Sequence, residues 1–337
     1  MIRLLALLAA AFLATAATVP APPATLVPYL RGGTFDPGDY GWMRGGFDGA
    51  TPAQATAWTT LQEWLTKCRA ASTANVRVAL VAAGIADPAL RPGTYDDAPC
   101  GAVAMAFPQG DMGNDWALFQ AKLASARRIA STLIWSAALA QAVGDEAGDI
   151  LPAQLIARPI TDQVLRNSVS WNTGETKGAP LLDPMEAGIV RGLTWSAIRA
   201  RDHANTAWMK TVVAQHGWPT IAKVGPQASG SAWLLVQHAD DDPVFQLKML
   251  RLMEPLVAKG QVAKKNFALL HDRVMLQMTG RQRYGTQWSC ATGDWQPFPL
   301  EDRTKVDSWR ATVDLGTLAD NGARIAKTAG PCPPAQH

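Results

Sequence analysis

Trp233-Leu-Leu-Val-Gln-His-Ala-Asp240 lies at the centre of the segment that decides the fold, residues 217–287. Gly217-Trp-Pro219 precedes it, and Asp272-Arg-Val274 and Gln282-Arg-Tyr-Gly-Thr-Gln287 follow it. Each of these four groups places polar side chains beside large apolar ones. Buried positions are mainly apolar and solvated positions mainly polar, so the mixture indicates polar side chains held against an apolar surface. We expect a functional site, if the protein has one, in this segment.

Apolar residues recur at helical spacing through most of this segment and through most of the chain. Thr51-Pro52 and Asp183-Pro184 each place an N-cap side chain before a proline at the first helical position. Helices are predicted at residues 51–68, 75–84, 114–144, 152–171, 183–215, 226–239, 243–259, 266–279 and 301–313. Between them, residues 284–290 and 295–298 have the pattern of two short strands joined by a turn. The expected fold is mostly α, a multi-helix globular array with one small β-hairpin near residues 284–298.

Composition divides the chain into four regions: a signal peptide (1–17), a Pro/Gly-rich leader and irregular segment (18–50), an N-terminal helical region (51–180) and a C-terminal helical domain with the hairpin (183–330). The 337 residues are 48% hydrophobic, which is enough apolar material for one large or two ordinary domains. Asp36, Asp39 and Asp48 lack the ligand spacing and terminal Glu of an EF-hand, so we interpret them as turn residues rather than calcium ligands.

The N-terminus has the three-part layout of a secretory signal peptide. Arg3 supplies the positive charge, residues 4–13 form an unbroken apolar run, and Ala14-Thr-Ala16 offers small residues for cleavage. The alternative is an uncleaved anchor helix, but the run is shorter than the ~20 residues that a membrane span needs. The sequence therefore predicts an exported protein, periplasmic or secreted, without a transmembrane segment after signal cleavage.

The chain has four cysteines, and an even number in an exported protein favours disulfides. Four cysteines allow three pairings. Their order in sequence favours Cys68–Cys100 and Cys290–Cys332, because each pair then closes a local loop. A metal site is the alternative, but the sequence has no CxxC motif and no histidine near a cysteine.

Charge and motifs exclude several classes of protein. The 31 basic and 28 acidic residues give a net charge of +3, too small an excess to attract nucleic acid. The sequence contains no P-loop, no HExxH and no GxSxG, although Ser231 near His238 keeps a serine hydrolase as an alternative. We predict no cofactor and no nucleic-acid partner.

Six motifs between residues 195 and 315 occur together: Asp202-x-x-Asn205, Gly217-Trp-Pro219, Trp233 to His238, Gln246, Asp272-Arg-Val274 and Gln282 to Gln287. As a set they resemble an uncharacterised bacterial family, one of the domains of unknown function that are often exported or attached to lipoprotein signals. The resemblance implies a compact helical C-terminal domain. It implies no established activity and no assigned catalytic residues.

His238 is the candidate catalytic base. It lies about 100° from the apolar face of its predicted helix, at the boundary with solvent. A histidine held by a carboxylate can act as a general base, and the candidate carboxylates are Asp240, Asp242 and Asp272, of which Asp272 is the predicted catalytic partner. The alternative is a histidine that only hydrogen bonds its neighbours and fixes the helix end.

His271 is expected to face inward from the helix at residues 266–279, as a core residue. Two histidines with Asp240 or Asp272 would suffice for a zinc site if His271 and His238 converged. Because HExxH is absent, we predict no metal site and keep zinc as an alternative.

Six polar side chains are predicted to bind a ligand: Gln237, Gln246, Arg273, Arg283, Tyr284 and Gln287. Arginine presents a planar fork to carboxylates, and amides both donate and accept, which suits sugar or peptide ligands. The sequence thus predicts an exported protein of unknown activity that binds a small molecule, glycan or peptide at a polar seam, defined as residues 237–246, 272–273 and 282–287. The alternatives are a cell-envelope hydrolase that uses His238 as general base and a structural envelope protein whose seam is a polar network within the core.

Overall fold

A computed structural model describes residues 16–31, 34–90, 98–145, 150–169, 182–290, 293–330 and 332. Residues 1–15 of the predicted signal peptide lie outside the described residues, as do residues 174–180, which the sequence predicts to be a break between helices.

Helices account for most of the described chain, which confirms the mostly α, multi-helix globular fold. The α-helices are α1 (Pro52–Ala82), α2 (Pro99–Ala106), α3 (Trp116–Asp145), α4 (Leu151–Val169), α5 (Pro184–His216), α6 (Ile221–Gln237), α7 (Pro243–Val257), α8 (Lys264–Thr279), α9 (Val306–Thr312) and α10 (Leu318–Ala329). Short 3-10 helices occupy Val27–Tyr29 and Gly41–Gly46. Strands β1 (Leu30–Arg31) and β2 (Thr34–Phe35) form one antiparallel pair, and β3 (Trp288–Ser289) and β4 (Gln296–Pro297) form another.

The helix starts follow the capping signals in the sequence. Thr51 accepts a hydrogen bond from the backbone of Gln54, whose side chain returns one to the backbone of Thr51, a reciprocal capping box at the start of α1. The Asp183 side chain accepts hydrogen bonds from the backbone N–H groups of Met185 and Glu186 in the first turn of α5. Gly225, at a φ of 84°, introduces a kink in α6 that a residue with a side chain would adopt only under strain.

Three elements differ from the sequence prediction. α1 is one continuous helix where two were predicted, because Val76 and Leu80 continue the buried stripe that includes Leu61 and Leu65. α2 lies between the helices predicted at residues 75–84 and 114–144, and α10 lies after the last predicted helix at residues 301–313. The predicted hairpin is present as β3 and β4, with Trp288 opposite Pro297, and the structure adds the pair β1 and β2.

Two large apolar clusters form the core. The first joins the irregular N-terminal segment to α1, α2, α3 and the start of α5, and includes Tyr40, Trp42 and Phe119. The second lies among α6, α7 and α8 and includes Trp218, Met249 and Val274. α4 packs on α3, α5 and α6, so charged side chains of α4 are placed where three helices meet.

Two disulfides join the pairs that sequence order favours. Cys68 of α1 is bonded to Cys100 of α2, and Cys290 to Cys332. Among the described helices, none combines the length and the apolarity that crossing a lipid bilayer requires. α3 packs on α5, and α4 on α5 and α6, across the predicted boundary near residue 180, so the division into two regions stays a prediction.

Candidate functional site

His238 is held by a carboxylate from a different part of the chain. It is the C-cap residue of α6 and lies five residues before Pro243, the first residue of α7. Its Nδ1 is 2.6 Å from Oδ2 of Asp162, on the neighbouring helix α4. The Asp162 side chain is 1% exposed and that of His238 12% exposed, so the contact is shielded from solvent. A buried hydrogen bond of this kind fixes both the orientation of the imidazole and the nitrogen that carries its proton.

Asp162 stays ionised because three donors surround it. Nε of Arg166 donates to Oδ1 at 2.5 Å, and Nε2 of Gln163 donates to Oδ2 at 3.0 Å. Burial by itself would raise the pKa of the Asp162 carboxyl, but the hydrogen bond to His238 and the charge of Arg166 outweigh it, so this pKa lies below its ordinary value. Asp162 is therefore a buried anion beside the imidazole.

Asp202 of α5 lies in the opposite electrostatic situation. Nη2 of Arg166 donates to its Oδ2 at 2.5 Å, while its Oδ1 is buried and has no hydrogen-bond partner among the described residues. Burial raises the pKa of the Asp202 carboxyl well above its ordinary value; the charge of Asp162 adds to this effect and that of Arg166 opposes it. Two neighbouring carboxyls thus have pKa values displaced in opposite directions, with Arg166 between them.

A cavity of about 210 Å³ opens beside this group. Its walls come from α5 and from the turn between α6 and α7: Asp202, His203, Thr206, Ala207, Lys210, His238, Ala239, Asp241 and Asp242. Because Nδ1 of His238 is directed to Asp162, Nε2 is the ring nitrogen left for a molecule in the cavity.

The turn that carries His238 is fixed on three sides. Arg273 of α8 donates twice to Asp240, at 3.0 and 2.6 Å. The buried amide of Gln246 donates to the carbonyls of Val236 and Gln237 at 3.1 and 3.3 Å, and to Asp240 at 3.2 Å. Crowding by protein raises the pKa of the Asp240 carboxyl, but the guanidinium of Arg273 outweighs this and lowers it below its ordinary value.

Salt bridges attach the same turn to α5. Arg199 contacts Asp241 at 2.5 Å, and Lys210 contacts Asp242 at 2.5 Å. Asp242 also caps α7 by accepting a hydrogen bond from the backbone of Phe245 at 2.9 Å. Together with Arg273 and Gln246, these contacts give the imidazole a defined position relative to α5.

Asp272, the other predicted catalytic residue, lies elsewhere. Its carboxylate is fully buried and accepts hydrogen bonds from the backbone N–H groups of Arg283 and Tyr284, both at 2.9 Å, and of Thr286 at 2.8 Å. These contacts hold the segment before β3 on α8. The ring of His271 packs edge-on against that of Tyr284, with centroids 5.3 Å apart.

The six predicted binding residues are likewise distributed over several places. Gln246 and Arg273 fix the turn after α6, and Gln237 is buried in α6. Arg283 pairs with Glu301 at 2.9 Å, Tyr284 is buried, and the backbone of Gln287 exchanges hydrogen bonds with the buried amide of Gln282. None of the six lines the cavity beside His238. Their roles in binding stay predictions.

Asp162, Asp202 and His238 are also the group of side chains best placed to hold a metal ion. One ligand atom from each lies within 4.8 Å of the other two. Arg166 already bridges the two carboxylates, however, and supplies the positive charge that a cation would bring. A metal ion would have to displace this guanidinium. The arrangement is better suited to moving protons than to binding a divalent cation.

Sequence reasoning missed Asp162 and Arg166. A signal for them exists, because Asp162 continues a stripe with Leu155 and Leu165, which are buried at spacings of seven and three residues from it. A carboxylate on the buried stripe of a helix requires a partner, and Arg166 follows one turn later.

Comparisons with known proteins identify one family. No curated protein and no solved structure matches the chain. A family of unknown function, DUF6624, matches residues 152–329, which is more than half of the chain and includes Asp162, Arg166, Asp202 and His238. This confirms the resemblance seen in the motifs of residues 195–315 and extends it to α4 and α10. The chain belongs to the family of unknown function DUF6624.

Proposed function

We propose that the protein is a hydrolase in which His238 is the general base, Asp162 orients it, and Asp202 is the proton donor. The observation that carries the proposal is the 2.6 Å contact between Nδ1 of His238 and the buried carboxylate of Asp162, at the wall of a cavity. The sequence-based candidates for the carboxylate partner were Asp240, Asp242 and Asp272, and we assign this role to Asp162 instead.

The base works through the two nitrogens of one ring. The Asp162 anion accepts a hydrogen bond from the N–H at Nδ1 of His238, which leaves the lone pair of Nε2 free to take a proton from water. The resulting hydroxide attacks the electrophilic carbon of a substrate in the cavity. The ionised Asp162 then stabilises the imidazolium that has formed.

The proton for the leaving group comes from Asp202. Its raised pKa keeps this carboxyl protonated at a pH where Asp162 is ionised. Two carboxyls with pKa values displaced in opposite directions provide an acid and a base at the same pH. Arg166 contacts both and remains close to the carboxylate that Asp202 becomes after donating its proton.

The cavity sets limits on the substrate. About 210 Å³ is smaller than the ~300 Å³ at the lower end of typical ligand pockets, so it would hold one residue or ring of a larger molecule. Three aspartates and one lysine line it. This excess of carboxylates favours a neutral or cationic scissile group, as in an amide, ester or glycoside, over a phosphoester.

Ligand binding without turnover is the second candidate function. The unpaired, buried Oδ1 of Asp202 favours it, because a ligand N–H or O–H would satisfy that atom. In either case the ligand would be a small molecule, glycan or peptide, and the part of the polar seam that takes part would be residues 238–242.

We also infer that the protein is exported to the periplasm or secreted. Two disulfides support an oxidising compartment, since such bonds are rare in the cytosol. The signal-peptide pattern in the sequence supports the same inference.

The test is a screen of chromogenic amides, esters and glycosides with the purified protein, followed by His238→Ala and Asp162→Asn. We expect each variant to lose about 10²–10⁴-fold in turnover while its melting temperature stays within a few degrees. His216→Ala is the matched control, because His216 is exposed at the end of α5, outside the cavity. Full turnover by folded His238→Ala would refute the role of the base. Saturable binding with no turnover of any substrate would favour the second candidate.

A further inference from the structure

α3 exposes two large apolar side chains one turn apart. Trp135 is 76% exposed and Leu139 64% exposed. Burial of large apolar side chains is favourable, so leaving both in water is a cost that an interface would remove. Exposed apolar patches of this kind mark interaction surfaces.

The rest of this helix face is small and almost uncharged. At 100° per residue, Ala121, Ala124, Arg128 and Ala142 all lie within about 40° of Trp135 around the helix axis, and all are exposed. From Trp116 to Gly144 the helix has no Asp or Glu. Interfaces are enriched in Trp and Arg and depleted in Asp, Glu, Lys, Ser and Ala. Trp135, Arg128 and the absence of acidic residues fit this composition, whereas the alanines of the face do not and are explained by close helix packing instead.

The face is complementary to itself when reversed. Suppose that two α3 helices pack antiparallel, with the two-fold axis passing between Ser131 and Thr132. A residue of one copy then faces the residue of the other copy for which the two residue numbers add up to 263. Trp135 then faces Arg128 of the other copy, and Leu139 faces Ala124. Each large apolar side chain meets either a guanidinium, which stacks on indole, or an alanine that leaves room for it.

The centre of the face tolerates burial. The hydroxyl of Thr132 donates to the carbonyl of Arg128 at 2.8 Å, and that of Ser136 to the carbonyl of Thr132 at 2.8 Å. Because these hydroxyls are bonded within α3, a second helix can cover them without leaving a donor unsatisfied.

We propose that two copies of this chain associate through antiparallel packing of their α3 helices, with Trp135 of each copy against Arg128 of the other. The contact is isologous: each pair occurs twice, related by a two-fold axis. From Ala121 to Ala142 the face is about 32 Å long at 1.5 Å per residue. One helix face of this length buries less than the ~800 Å² per partner of a standard interface, so a dissociation constant on the order of 10 µM is expected.

The first experiment is sedimentation velocity on the full chain over protein concentrations from about 1 to 300 µM, which bracket the expected constant. We expect a concentration-dependent dimer, and at least tenfold weaker association for Trp135→Ser, as for a central aromatic residue at an interface. Val81→Ser is the matched control, because Val81 is 50% exposed on α1, and it should leave association unchanged. A monomer at every concentration would overturn the proposal.

The second experiment tests the antiparallel register by oxidation. The four native cysteines are paired, so an introduced cysteine is the only thiol in each variant. Ala121→Cys and Ala142→Cys should crosslink when the two variants are mixed, and neither should crosslink alone, since like positions are about 31 Å apart at 1.5 Å per residue. Crosslinking of either variant alone would indicate a parallel pair and overturn the proposal.

A lipid surface would be the occupant if the wild-type monomer co-sedimented with phosphatidylglycerol vesicles and Trp135→Ser did not. That outcome would overturn the dimer as well. The charges of the face favour a second copy of the chain over a membrane. Anionic membranes attract clusters of basic residues, whereas the face has a single exposed basic residue, Arg128.

Discussion

Asp162 and His238 are 76 residues apart in sequence, and their side chains meet at 2.6 Å where α4 packs on the end of α6. Asp162 contacts Arg166 and Gln163 in the same way, so three donors converge on one buried carboxylate. The contact directs Nδ1 of the imidazole to Asp162, and His238 lines the neighbouring cavity.

Asp162→Asn should move the imidazole proton of His238 from Nδ1 to Nε2. Arg166 can only donate, so the amide oxygen of an asparagine would face Arg166 and its NH₂ group would face Nδ1. Nδ1 would then accept a hydrogen bond, and Nε2, now protonated, could no longer act as a base. Long-range ¹⁵N–¹H NMR of the histidine rings reports the tautomer directly and needs no substrate.

Asp272→Asn serves as the control for this experiment. The Asp272 carboxylate accepts hydrogen bonds from the backbone of residues 283, 284 and 286, and the histidine near it is His271, not His238. It should leave the His238 resonances unchanged. An unaltered His238 tautomer in Asp162→Asn would contradict the orienting role of Asp162.

Asp202→Asn should stabilise the protein at neutral pH. The folded-state pKa of Asp202 is raised well above its ordinary value, chiefly by burial. Ionising this buried carboxyl costs folding free energy. The cost is absent below the unfolded-state pKa of about 3.9, grows as the pH rises above that value, and is complete above the folded-state pKa. An asparagine oxygen can still accept from Arg166 without carrying the charge. We expect a gain on the order of 1 kcal/mol at pH 7, or about 1–2 °C in Tm for a chain of 337 residues.

Urea unfolding at intervals from pH 3 to pH 8 measures this difference. The gain should vanish at the acid end of the series. Asp240→Asn is the comparison of opposite sign, since Arg273 lowers the pKa of Asp240. That variant should lose stability at neutral pH and converge with the wild type as pH falls through the folded-state pKa. A gain for Asp202→Asn that persisted at pH 3 would rule out ionisation as its cause.

The fold was more predictable than the site for a physical reason. Helix starts depend on neighbouring residues, so Thr51-Pro52 and Asp183-Pro184 located α1 and α5 from local signals alone. Asp162 and His238 are brought together by the packing of α4 on α6, which periodicity does not encode. The catalytic role of Asp272 stays a prediction for a related reason: a buried carboxylate has the same sequence signature whether it binds backbone N–H groups, as Asp272 does, or a substrate.

The Cys68–Cys100 bond should contribute more to stability than the entropy of closing its loop alone. It joins α1 to α2 across 32 residues, and both cysteines are fully buried in the N-terminal core. In the chain-entropy model, a loop of this size gives about 3–4 kcal/mol. We expect the double variant Cys68→Ala, Cys100→Ala to lose at least that much in urea unfolding, since two buried sulfurs are removed as well. The same replacement at Cys290 and Cys332 is the comparison. That bond spans 42 residues and joins half-buried cysteines, so its removal should cost a similar entropic contribution with a smaller loss from burial.

Asp272→Ala should destabilise the protein without acting on catalysis directly. The carboxylate satisfies three backbone N–H groups that precede β3, and each buried donor left without a partner costs about 1–3 kcal/mol. Asp272→Asn should cost less than Asp272→Ala. The amide oxygen can keep the two donors of Oδ1, Arg283 and Tyr284, while its NH₂ group opposes the N–H of Thr286.

Stability is measured by urea unfolding, and turnover at a temperature where the variants are folded. Loss of turnover by a fully stable Asp272→Asn would restore Asp272 as a catalytic residue and move the site toward the hairpin. Unchanged turnover with reduced stability would leave Asp162 as the carboxylate partner of His238.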